Sequence, residues 1–344
     1  MPNLWSDRTK DLADNLESRE KDFGPAHPVS GMEWTRTHEP TPSQGIPMKI
    51  VITGATGFIG SYVAVRLARA GHEVVATGRN PRKVPALGAV PGITLARLEL
   101  GDPKSWAPAL AGADVLVHVA LGWGEGGLLM LQADTAASVG LFEAAHAAGV
   151  RRIIYTSSTA AVGEQRGDDR EDCSLRPTDY YGATKASTEM FARAFARTTK
   201  VPVHVIRPGY IFGEPVVEGA SVYSDKRFRN ICHAIRDGQP VRLIQNDGTQ
   251  FLHASNLAKV YEALLTHEVG FSTHFALAKD WCSWADIARM AMAEHGREVP
   301  IEFEDRGYGP ALLYDLSAIE RDFGLVFPSR EQLRAHVRWV LAQP

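Results

Sequence analysis

Residues 48–71, MKIVITGATGFIGSYVAVRLARAG, constrain the fold more than any other stretch. A short apolar run suited to a buried parallel strand meets three glycines. A segment with helical apolar spacing follows and closes on Gly71. Gly54, Gly57 and Gly60 form GxxGxxG at the strand-to-helix junction. The first glycine permits the tight turn. The second lets backbone approach a pyrophosphate, and the third lets helix pack on strand. The helix N-terminus then offers unpaired N–H groups and partial positive charge to an anion. Three glycines in seven residues also suit a plain turn, but strand and helix here flank them on both sides. The candidate phosphate-binding set is Gly54, Thr56, Gly57, Phe58, Ile59 and Gly60.

The same alternation continues. HEVVATG, ITLARLEL, ADVLVHVA, RRIIYTSS and PVHVIRPG read as further strands. Long helical patterns lie at 128–149 and 178–199, and a short Pro/Trp-containing helix precedes the fourth strand. Short right-handed connections of this kind imply an α/β fold with a Rossmann-type doubly wound parallel sheet. After about Gly213 the alternation weakens, so residues 48–213 are expected to form the dinucleotide-binding domain. Residues 214–344 would form a smaller C-terminal α/β substrate lobe, partly interleaved with the first. Residues 1–47 are charged and then rich in Pro and Gly, with Leu4, Leu12 and Leu16 as sparse apolar positions. They read as a mobile extension or an interface arm.

Composition closes several routes. A net charge of −3 gives no broad basic surface, so nucleic acid is not an expected partner. The three cysteines, Cys173, Cys232 and Cys282, show no metal-ligand spacing, so no metal is expected. A sparse odd set fits a reducing, cytoplasmic location. No apolar run of about 18 residues indicates a membrane span, and the N-terminus lacks the apolar core of a signal peptide.

At the end of the second strand a dinucleotide site often places an acid on the adenosine ribose. Here the run is Thr77-Gly78-Arg79-Asn80, with Arg82 and Lys83 behind it. Arg79 suits a 2′-phosphate, so NADP is favoured as cofactor, with NAD the alternative. Further on, TDYYGATKAS places Tyr181 four residues before Lys185, on one helix face. Tyr180 falls off that face and is expected to turn toward packing or the preceding loop.

Taken in order, GATGFIG, HVA at 118–120, YTSS at 155–158, Tyr181–Lys185, RPGYIFG at 207–213 and DGTQFLHASNLA at 247–258 resemble the extended short-chain dehydrogenase/reductase family. That family holds nucleotide-sugar epimerases, dehydratases and dihydroflavonol-type reductases. The resemblance runs from Met48 nearly to the C-terminus. It implies that Tyr181 is the catalytic acid/base and that Lys185 holds the nicotinamide ribose and lowers the tyrosine pKa. It implies that Ser158, with Ser157 as an alternative, orients the substrate oxygen. It also implies cofactor contacts at Asp102, Ala120, Pro208 and Gly209. Arg151–Arg152 read as a solvated pair.

Three departures narrow the function. The acid pair that a 4,6-dehydratase carries after the hydroxyl residue is replaced by Thr159 and Ala160, so that activity is disfavoured. The arginine often set on a substrate diphosphate is replaced by Thr249 and Gln250, with Lys226, Arg227 and Arg229 as possible substitutes. The Asn common in the fourth helix is Asp134. The expected function is an NAD(P)-dependent oxidoreductase that interconverts carbonyl and alcohol on a small or medium organic substrate. The alternative is a sugar or nucleotide-sugar epimerase using tightly bound NAD. Trp123, Tyr210, Tyr223 and Trp281 are candidate pocket walls. The Ala-, Leu- and Phe-rich helices at 128–148 and 179–199 suggest a homodimer.

Overall fold

The computed structural model describes residues 46–167, 169–221 and 226–344. The N-terminal extension, but for its last two residues, and Tyr223 lie outside the described residues. Seven parallel strands form the main sheet: β1 (Lys49–Thr53), β2 (Glu73–Gly78), β3 (Ile93–Arg97), β4 (Val115–His118), β5 (Arg152–Thr156), β6 (Val203–Pro208) and β11 (Phe271–Ala276). Their order across the sheet is β11-β6-β5-β4-β1-β2-β3, the Rossmann-type arrangement. The order reverses between β1 and β4, so their C-terminal ends open a crevice for a ligand.

Each strand buries alternate side chains on opposite faces because side chains alternate along an extended chain. Ile50, Ile52, Val74, Val117 and Ile154 pack on one face, beneath α1 (Phe58–Arg69) and α5 (Ala254–Leu264). Val51, Val75, Leu116, Ile153 and Tyr155 pack on the other. That face is covered by α2 (Ala137–Ala147) and α3 (Tyr180–Thr199). α2 is preceded without a break by a helical turn, Gly127–Met130, and a π-helical stretch, Leu131–Ala136.

Longer helices of the C-terminal part are α4 (Arg227–Arg236), α6 (Trp284–His295), α7 (Ser317–Phe323) and α8 (Arg330–Leu341), and short helical turns lie at Pro85–Gly88 and Trp106–Leu110. Of these, α4, α6 and α8 enclose a separate core around Phe212, Phe228, Phe251 and Trp284. Tyr210 belongs to this core, buried with its ring 5.0 Å from Phe251. Short strands complete this part: β7 (Ile211–Phe212) pairs with β10 (Leu252–His253), β8 (Val241–Ile244) with β13 (Ile301–Glu304), and β9 (Gly248–Thr249) with β12 (Cys282–Ser283).

Two features join the halves. β11 lies beside β6 in the main sheet although it comes from the C-terminal part of the chain. The Arg66–Glu262 ion pair, at 2.6 Å, ties α1 to α5. The reading of Arg152 as solvated is corrected. Its guanidinium is buried against His204 and the carbonyls of Leu264 and His267, and it pairs with Glu268. Only Arg151 is exposed, paired with Asp114 at 2.5 Å.

Candidate active site

The glycine loop follows β1. Gly54 has φ +66, and a Cβ there would come 2.9 Å from the Ala120 backbone. That close approach brings the ends of β1 and β4 together. A Cβ on Gly60 would come 2.2 Å from the Gly54 carbonyl oxygen, so the helix reaches the loop only because this residue is glycine. α1 begins at its N-cap, Gly57, with no side-chain cap and no acidic residue in its first turn. Its leading N–H groups are therefore left to an anion, and a dinucleotide pyrophosphate fits this cradle. Thr56 packs directly against the end of β2, where a Cβ on Gly78 would lie 2.5 Å from its hydroxyl oxygen, so only glycine fits there. Phe58 and Ile59 turn their side chains into the core, so only their backbone can face a phosphate.

Behind the loop, Thr53 Oγ1 accepts the N–H groups of Val119 and Ala120, each at 3.1 Å. With its lone pairs used, its hydroxyl proton goes to His118 Nδ1 at 2.7 Å, and His118 Nε2–H donates to Ser138 at 2.9 Å. Burial pushes the His118 pKa down to about 3, and the Lys185 charge assists, so the ring is neutral. This chain of bonds fixes Ala120 beside Gly54.

At the end of β2, Arg79, Arg82 and Lys83 are exposed. Arg97, opposite Gly78 in the β2–β3 register, pairs with Glu99 at 2.6 Å and Asp102 at 2.8 Å. The Asp102 carboxylate thus faces Arg97 rather than standing alone. Its pKa is held low chiefly by that hydrogen bond.

The two serines after β5 part company. Ser157 donates to Glu189, which is bound by Arg207 in a buried pair at 2.7 Å. Ser157 therefore serves this pair and not a substrate oxygen. Ser158 accepts the Ala160 N–H at 3.1 Å and starts the turn Thr159–Ala161, while its hydroxyl meets the Tyr181 phenol. Asp179 caps α3 by accepting the Gly182 N–H at 2.6 Å, which sets the helix phase. In that phase Lys185 Nζ lies 5.7 Å from the Tyr181 ring centre and 5.4 Å from that of Tyr155. Tyr180 points away: it is exposed, and its ring sits against Gly127. Pro208 ends β6, buried, with Gly209 next to Leu277 and Thr159.

The Tyr181 phenol sits above its ordinary pKa rather than below it. Burial pushes the phenol up to about 12, and Asp134 and Asp179 add to the rise, with only Ser158 pulling it down. The Asp134 carboxylate lies 3.3 Å from the Lys185 ammonium. Burial alone would lower the lysine pKa, but Asp134 outweighs it and the net direction is up.

A cavity of about 720 Å³ opens beside Tyr181, lined by Trp123, Glu125, Met130, Asp179 and Tyr180 among others. Trp123 is therefore a wall. Trp281 instead lies against Gly248 beside the β9–β12 pair. Gln250 is buried, bonded to the backbone of Ala278 and Tyr314, and is structural. Arg227 stacks over Trp284 at 4.3 Å and pairs with Asp247 at 3.7 Å. Sequence reasoning missed the Glu189–Arg207 pair. Its signal was an arginine inside the apolar strand HVIRPG, where a buried cation needs a partner.

A seven-stranded parallel sheet, a capless glycine loop and a serine–tyrosine–lysine cluster at the strand ends define a dinucleotide-dependent enzyme of the Rossmann class. Residues 50–277 match the NAD dependent epimerase/dehydratase family model, and the chain belongs to that family. It is 29% identical over 324 residues to a dTDP-4-dehydro-6-deoxy-D-allose reductase of Streptomyces bikiniensis, covering 84% of this chain and 95% of the relative. It is 24% identical over 289 residues to an uncharacterised UDP-glucose epimerase of Bacillus subtilis, covering 75% and 86%. In fold it is similar to UDP-glucuronic acid 4-epimerase from Bacillus cereus, solved with UDP-glucuronic acid and NAD. There the TM-score is 0.71 at 20% identity, covering 85% of this chain and 99% of that one. No helix among the described residues is long and apolar enough to cross a membrane.

Proposed function

We propose that the chain is an NADP(H)-linked oxidoreductase that interconverts a carbonyl and an alcohol on a small or medium organic substrate. The observation that carries this reading is the convergence of Ser158, Tyr181 and Lys185 at the end of the parallel sheet that also carries the glycine loop. A nicotinamide, when bound, supplies or accepts the hydride. Gly54, Thr56, Gly57 and Gly60 would hold the pyrophosphate, and Ala120, Pro208 and Lys185 the ribose and nicotinamide end. Tyr181 gives its phenolic proton to the carbonyl oxygen in reduction and takes one back in oxidation. Ser158 aligns that oxygen. Thr159 and Ala160 carry no acid or base, which leaves no residue there to expel water.

The similarity to a deoxysugar reductase over most of both chains supports a sugar-like substrate. A second reading, an epimerase with retained NAD, is supported by neighbours solved with NAD. A screen of carbonyl and alcohol substrates, following NADPH and NADH absorbance separately, decides between them. Net oxidation of NADPH is expected. Copurified NAD with no net cofactor turnover would reverse the order.

The exposed Arg79, Arg82 and Lys83 support NADP. Arg79→Ser is expected to cut kcat/KM for NADPH by about 10- to 100-fold, the worth of one charge-assisted bond, with NADH unaffected. A native preference for NADH would refute the assignment.

A homodimer through α3 and the helical stretch that leads into α2 is supported by exposed apolar residues on both. Leu128 is 67% exposed and Met190 70%, with Leu129, Leu131 and Phe191 also exposed. Such a concentration marks a contact surface, and a second copy would bury like against like. Sedimentation is expected to give a dimer, and Phe191→Glu a monomer.

A further inference from the structure

Lys185 is not a bare cation beside Tyr181. The lysine and Asp134 side chains are both buried, 4% and 0% exposed, with Nζ 3.3 Å from Oδ2. The other carboxylate oxygen accepts the Gly122 N–H at 3.1 Å, and a Cβ on Gly122 would overlap the Ala133 carbonyl. The loop and the helix turn are thus locked together around Asp134. That turn is the π-helical stretch before α2, the kind of local widening that recurs at functional sites. Thr135 Oγ1 donates to the Thr184 carbonyl at 3.2 Å, fastening the same turn to α3 one residue before the lysine.

We infer that Asp134 is a positioning residue of the active site: it holds the Lys185 ammonium in place and cancels most of its field at Tyr181. The inference rests on the catalytic reading of Tyr181 and Lys185. Two opposite charges in contact act on a third group as a dipole, whose effect falls off faster than that of either charge. The other groups facing the pair do not restore the imbalance. His118 of β4 is neutral, and Tyr155 of β5 is a buried phenol pushed above its ordinary pKa. Glu189, one turn further along α3, is bound to Arg207 of β6. Asp179, at the head of α3, adds negative charge near Tyr181. The Ser158 hydroxyl alone favours the ionised phenol.

The consequence is directional. With its pKa raised to about 12, Tyr181 is a neutral phenol throughout the neutral range and a ready proton donor to a carbonyl. Oxidation of an alcohol needs the phenolate, so its rate climbs with pH across the alkaline range. Reduction stays flat there until the phenol ionises.

The test is a pair of titrations on Asp134→Asn, an isosteric change that can still accept the Gly122 N–H. First, the alkaline limb of kcat/KM for alcohol oxidation should move down by about one pH unit or more, the usual effect of an unopposed cation nearby. Second, near-ultraviolet absorbance of tyrosinate should show one group titrating earlier than in the native protein, and Tyr181→Phe should abolish the difference. This second reading needs no substrate, so it stands even if the proposed activity fails. An Asp134→Asn/Lys185→Met variant removes both charges and guards against misfolding of the single change; its tyrosine should titrate as in the native protein. If Asp134→Asn is folded and Tyr181 titrates unchanged, or if the double variant titrates as early as Asp134→Asn alone, the inference fails.

Discussion

Tyr181→Phe is expected to lower turnover by about 10²- to 10⁴-fold, the range for loss of a positioned general acid or base. KM and the melting temperature should change little. The phenylalanine ring fills the same space, and the lost hydroxyl leaves behind only Ser158, which retains its Ala160 N–H. The control is its neighbour. Tyr180 lines the cavity but is exposed, with its ring on Gly127, so Tyr180→Phe, which keeps that ring, should cost turnover far less than Tyr181→Phe. Stopped-flow or steady-state reduction of the best substrate from the screen measures both. Equal losses from the two variants would overturn the assignment of the proton to Tyr181.

Arg207→Met is expected to give the largest loss of stability, about 3–5 kcal/mol, because it strands Glu189 as a buried, uncompensated charge. The guanidinium bonds both Glu189 oxygens through Nε and Nη2, and its Nη1 reaches the Glu171 carbonyl at 3.1 Å. Both side chains are 4% exposed, so solvent cannot screen the remaining carboxylate. Glu189→Leu/Arg207→Met removes both charges and should recover much of the loss. Urea unfolding of the three proteins, at equal slope, gives the comparison. Ser157 donates to Glu189, so the single change should also disturb the turn that presents Ser158. Turnover would then fall along with stability.

The first six strands of the main sheet were legible because their physics is local. Parallel strands buried on both faces appear as apolar runs, and the glycine loop needs glycine at Gly54 and Gly60 for steric reasons visible in the spacing. The register of Tyr181 with Lys185 follows from helix geometry alone. What the sequence hid depends on distant partners. β11, FSTHFA, carries Ser272, Thr273 and His274 and offers no apolar run; only its pairing with β6 makes it a strand of the main sheet. Arg152 looked like a solvated surface charge because the carbonyls that receive it lie more than a hundred residues away. Asp134 was visible as a departure from the common Asn. Its effect on the site could not be read without knowing that both it and Lys185 are buried.

The place of β11 bears on how the chain is made. As the polypeptide emerges, β6 is complete by Pro208, yet the strand that covers its outer edge ends only at Ala276. During that interval the growing sheet presents a row of unpaired backbone groups, the template on which chains join edge to edge. Synthesis at about 5–20 residues per second keeps this edge open for a matter of seconds. β6 carries Val203, Val205 and Ile206 but also His204 and Arg207. Those polar residues disfavour aggregation until His204 meets Ser272 at 2.9 Å and the edge closes.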